Sequence, residues 1–162
     1  MVPFSGRSLG RAVALAALLG AGWAVPAHAQ SSIGFSGGAS VDPEQVYAGV
    51  FWQSADIAGR FRLRPGIEGG FGSGLRLATI NVDFVYLFPL GNTPWKFLTG
   101  GGPSVVLTKL SDDRFDLGTD VGAGGSYLIG FAHDNGFFTD IRIGGGNVPG
   151  LKFGAGWSVR ID

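Results

Sequence analysis

Side-chain character in this chain alternates at every second residue over long stretches, which restricts those stretches to β-strands with two unlike faces. The last stretch shows it most clearly. From Leu151 the odd positions are Leu151, Phe153, Ala155, Trp157, Val159 and Ile161, all apolar. The even positions are Lys152, Gly154, Gly156, Ser158, Arg160 and Asp162, charged, polar or lacking a side chain. No segment holds a helical period for three turns.

Seven further runs share this pattern: residues 32–41, 46–54, 60–69, 75–88, 95–108, 119–132 and 137–145, with 151–161 as the eighth. Turn-forming residues separate them, among them Asp42-Pro43, Gly91-Asn92-Thr93-Pro94 and Asn147-Val148-Pro149-Gly150. Asn135-Gly136 predicts a two-residue type I′ hairpin, which needs positive φ at both centres. Connections this short join antiparallel neighbours, because a parallel crossover takes a dozen residues or more. The fold class is therefore all-β: an eight-stranded antiparallel up-and-down barrel.

Alternation alone leaves open which face points inward. A soluble barrel buries its apolar face, whereas a transmembrane barrel turns that face to lipid and encloses the polar one. The polar face here consists of Gly and Ser with a few charges, too small for a wetted surface and suited to a narrow interior filled by side chains. Aromatic residues gather at alternate strand ends: Trp52, Phe61, Tyr86, Trp95, Phe97, Phe131, Phe137 and Trp157. With both termini on one side, these form one girdle, as interfacial rings do at the headgroup level. Both arguments point to a transmembrane barrel, which must close because lipid cannot satisfy an open edge. Pro65 and Pro103 fall on the lipid-facing parity, and each predicts a bulge or strand end. Arg76 takes the same parity at the rim.

Met1 to Ala29 has the layout of a cleavable signal peptide. Arg7 and Arg11 precede the apolar run Ala12–Val25, and Ala27-His28-Ala29 fits the small-x-small rule. Residues 30–162 then form one barrel domain. Without Arg7 and Arg11, that domain carries 10 basic and 12 acidic side chains, with no basic stripe for nucleic acid. Cysteine is absent, which excludes disulfides, thiolate metal sites and a thiol nucleophile.

On the enclosed parity lie Arg60, Arg62, Arg64, Arg142, Lys152 and Arg160, facing Glu68, Asp83, Asp120, Asp140 and Asp162. Buried charges must be paired, so these predict a salt-bridge network that plugs the lumen. The alternative reading is a narrow conductive path or gate. His133, before Asp134-Asn135-Gly136, is expected to be a turn residue, since no serine partner for catalysis can be named. Asp112, Asp113 and Asp116 lack EF-hand spacing and predict a solvated loop rather than a metal site. Segments GTDVGAGG and FLTGGGP resemble phosphate loops but neither opens a helix nor carries Gly-Lys-Ser/Thr. No metal or cofactor is expected.

With the signal peptide, the eight alternating runs and the segments KFLTGGGPSVVL and KFGAGWSV, the chain resembles the small outer-membrane β-barrel family, which includes OmpA-like and opacity-protein-like barrels. Lys152, Gly154, Trp157 and Val159 match that family's C-terminal assembly-signal strand, although Arg160-Ile161-Asp162 stand where an aromatic residue usually ends it. The resemblance implies the outer membrane of a Gram-negative cell, with membrane lipid and the barrel-assembly machinery as partners. It supplies no catalytic motif. The expected function is structural or surface recognition without enzymatic activity. The alternatives are a secreted lipocalin-like barrel holding a small apolar ligand and, less favoured, an outer-membrane lipid-modifying enzyme.

Overall fold

A computed structural model describes residues 30–57, 59–72, 75–110 and 119–161. It contains strands β1 (Ser31–Val41), β2 (Glu44–Gln53), β3 (Phe61–Gly72), β4 (Leu75–Pro89), β5 (Trp95–Leu110), β6 (Thr119–His133), β7 (Phe137–Gly146) and β8 (Leu151–Ile161). Each strand pairs antiparallel with its neighbours in the chain, and β1 pairs with β8 to close the barrel. At that closure Phe35 stands opposite Trp157 on one side and Val50 of β2 on the other. No strand edge is left to face hydrocarbon, the condition for crossing a bilayer in strands.

The start of β1, the end of β8 and the connections 54–60, 90–94 and 134–136 share one end of the barrel, called here the terminal end. Connections 42–43 and 147–150 lie at the far end. The expected signal peptide, Asp112, Asp113, Asp116 and Asp162 lie outside the described residues.

Burial follows parity as a transmembrane barrel requires. Ile33, Phe61, Ile80, Ile141 and Trp157 are exposed on the outer surface, while Arg64, Asp83, Asp140, Arg142 and Lys152 are buried inside. A lipocalin-like chain would have the reverse, with its apolar face turned inward and its charges in water.

Three expectations are corrected. The last hairpin is not a two-residue type I′ turn. Gly136 N–H donates to His133 O at 3.0 Å, so Asp134 and Asn135 are the turn centres. Gly136 follows at φ 99°, the left-handed position of a three-residue loop. Neither Pro65 nor Pro103 forms a bulge or ends its strand, although the β2–β3 pairing stops at Phe51↔Gly66, next to Pro65. Pairing runs Asn81↔Ser104 above Pro103 and Phe84↔Gly101 below it with unchanged offset. The missing N–H interrupts the ladder without shifting it. Finally, the enclosed face is not uniformly small and polar. Val85, Leu87, Leu98 and Leu128 form a buried cluster inside the barrel, with Ala132 packed against it.

Candidate functional site in the barrel interior

Mid-barrel strands deliver the ionic layer. Arg142 of β7 reaches across to Asp83 of β4, with Nη1 2.9 Å from Oδ2, and donates to Ser126 Oγ at 3.2 Å. Lys152 of β8 donates to Glu68 of β3, and its ammonium lies 3.9 Å over the Tyr47 ring. Arg64 and Asp140 approach to 4.0 Å. Above them Ser104 donates to Asn81 at 2.7 Å. Partners on opposite walls bind strands distant in sequence, and each buried charge has a counter-ion, as desolvation requires. A cavity of about 10 Å³ lies beside this layer, lined by Ser36, Glu68, Asn81, Asp83 and Arg142 among others.

Arg64 closes the layer on the terminal side. Its guanidinium lies 3.7 Å over Phe51 and 4.6 Å over Phe138, and the two rings meet edge to face at 5.5 Å. Gly34 and Gly156 leave space for these rings on the neighbouring strands, and Gly154 leaves space for the Tyr47 hydroxyl. Phe51, Phe138 and Tyr47 were not singled out in the sequence. Strand parity, which places all three inward, is the signal that could have found them.

Of the charges expected in the lumen, Arg64, Glu68, Asp83, Asp140, Arg142 and Lys152 come together. Arg60, Arg62, Asp120 and Arg160 do not: they stand at the strand ends, where the barrel opens to water. Arg60, Asp120 and Arg160 are exposed. Arg62 Nε donates to Asp56 Oδ1 at 2.5 Å on the rim.

Below the plug, toward the terminal end, the barrel opens into a vestibule of about 490 Å³. Arg62, Arg64, Lys96, Arg160 and Asp134 line it, with Phe51, Leu87, Leu98 and Phe138 as its apolar wall. Lys96 Nζ is 2.7 Å from Asp134 Oδ1, and that hydrogen bond holds the Asp134 carboxyl below the usual carboxylate range. His133 Nδ1 accepts from Asn135 N–H at 3.1 Å, and its ring abuts Trp95 edge-on at 4.8 Å, so it orders the turn. Among the described residues, no group of three or more His, Asp or Glu could hold a metal ion.

Outside, the terminal end carries an arc of ring contacts from Phe61 through Tyr86, Phe88 and Phe97 to Phe131. A second arc joins Trp95, Phe137 and Trp157. Trp52, the remaining girdle residue, is exposed at the end of β2 on the same side. In β8, Lys152 and Gly154 face the lumen while Trp157 and Val159 face out.

A closed eight-stranded antiparallel barrel with an apolar exterior, an ionic interior and a ring of aromatics at one end has the fold of a small transmembrane β-barrel. Solved structures agree at the level of fold. The N-terminal β-barrel domain of Pseudomonas aeruginosa OprF superposes with a TM-score of 0.63 at 10% identity, covering 82% of this chain and 97% of that one. Neisserial surface protein A superposes with a TM-score of 0.55 at 13% identity, over 82% of this chain and 94% of that one. No protein-family model matches the chain, and no curated protein matches it in sequence.

Proposed function

We propose that the chain is a non-enzymatic integral protein of the outer membrane, exported by residues 1–29, with a structural or surface-recognition role and a lumen that does not conduct. The observation that carries this reading is the ionic layer across the interior: Asp83–Arg142 and Glu68–Lys152 span the lumen from opposite strands. The apolar exterior and the shape shared with the OprF barrel support the membrane setting. The two-residue connection 42–43 and the four-residue connection 147–150 are small, which favours a scaffold or a compact recognition surface over a broad adhesive one.

The test is cellular fractionation with gel migration before and after boiling, followed by reconstitution in planar bilayers. Recovery in the outer membrane, a heat-dependent mobility shift and no steady conductance are expected. A soluble periplasmic product or a stable open channel would overturn the proposal.

A further inference from the structure

We propose that the terminal-end vestibule is a binding site for an anionic single-chain amphiphile: an oxyanion head, carboxylate or phosphate, on a medium-length acyl tail.

Charge points to the head. Four cationic side chains line the vestibule, Arg62, Arg64, Lys96 and Arg160; Asp134 on its wall pairs with Lys96, Asp56 with Arg62 at the rim, and Asp140 lies 4.0 Å from Arg64. The cavity is blind, because the plug closes its inner end, and a dead-end cleft with low-dielectric walls concentrates the field of its lining charges. The rim pairs Arg62–Asp56 and Lys96–Asp134 are partly exposed, with side-chain exposures of 27%/46% and 33%/48%. Such surface pairs are weak, so an incoming oxyanion can replace either carboxylate at little loss.

The apolar lining points to the tail. Leu87, Leu98, Phe51 and Phe138, whose side chains face the lumen, supply the cavity's apolar wall. A small hydrated anion has no use for such a wall, whereas an acyl chain removes its own surface and that of the wall from water. At about 490 Å³ the cavity is larger than a ten-carbon carboxylate, whose twelve non-hydrogen atoms would take roughly 360 Å³ even at the 30 Å³ share of a water in the liquid. Since nothing of that size can pass the plug, the site retains its ligand rather than conducting it. The mouth lies level with the girdle residues, where single-chain lipids partition.

The experiment places the full-length mature barrel in lipid nanodiscs with isotope-labelled leucine methyls and titrates it with decanoate, decanol and inorganic phosphate. Decanoate is expected to shift the Leu87 and Leu98 methyls saturably, with decanol and phosphate each at least about tenfold weaker. The Arg62→Gln/Arg160→Gln double variant is expected to weaken decanoate by about tenfold or more. Lys96→Gln serves as a second variant should the first fail to show the heat-dependent mobility of a folded barrel. Equal binding of decanoate and decanol, unaffected by either variant and felt only at exterior Leu107, would mean partition into lipid and overturn the proposal. Phosphate competing as well as decanoate would overturn the amphiphile.

Discussion

A β-carbon added to Gly34 would stand 2.2 Å from Cζ of Phe51, so the ring that carries Arg64 occupies space that only a glycine on the adjoining strand provides. Gly156 stands in the same relation to Phe138, whose Cζ would be 2.5 Å from the added carbon. The apolar wall of the vestibule therefore depends on paired large and absent side chains. Gly34→Ala is expected to destabilise the barrel by about 1–3 kcal/mol through overpacking. Phe51→Leu in the same chain should recover part of that loss. Urea unfolding in lipid vesicles, followed by tryptophan fluorescence, measures both.

The plug gives an asymmetric double-mutant result. Asp83→Leu leaves Arg142 buried beside an apolar neighbour and is expected to cost about 3–5 kcal/mol. Asp83→Leu combined with Arg142→Met removes both charges and should cost far less, because the desolvation of each ion disappears with its partner. The same unfolding assay gives the coupling energy.

Position on the outer face sets the tolerance for charge. Ile80 lies near the middle of β4 and is 48% exposed on the lipid side, so Ile80→Arg is expected to cost about 2–4 kcal/mol. Arg76 sits on the same strand and parity close to the far rim, and Arg76→Leu should change stability by about 1 kcal/mol or less. Comparing the two in bilayers of different thickness checks that depth is the cause.

Acid should weaken the turn beneath the girdle. The Asp134 carboxyl is held below its ordinary range by the hydrogen bond from Lys96. Its folded pKa is thus depressed, so its contribution is present at neutral pH and is lost as pH falls through that depressed value, below the ordinary aspartate pKa of about 3.9. The pair is exposed and screened by salt, so the effect should be small and absent in Lys96→Met. Unfolding curves from pH 6 to pH 2 at low and high salt provide the comparison.

Strand count, order and sidedness were legible because period 2 admits one structure, and because a closed meander with greasy and ionic faces has few ways to be assembled. Asp83, Asp140 and Arg142 were placed inside by parity alone. Arg62 and Arg160 share that parity yet lie on the rim, since alternation reports which face a residue takes and not its height along the barrel. The Asn135-Gly136 turn was misjudged by one residue for a related reason: hairpin geometry depends on where cross-strand pairing begins, and Ser158 N–H bonding to Gly136 O fixes that from a third strand.

By itself the sequence determined the inside and outside of this protein, through the hydrophobic effect acting on every second side chain. Only the tertiary structure decided which charges meet. Glu68 and Lys152, or Asp83 and Arg142, are far apart in the chain and become neighbours through the stagger of the closed sheet. The vestibule has the same origin, because its cations and its apolar wall come from strands that the sequence pattern treats as separate repeats.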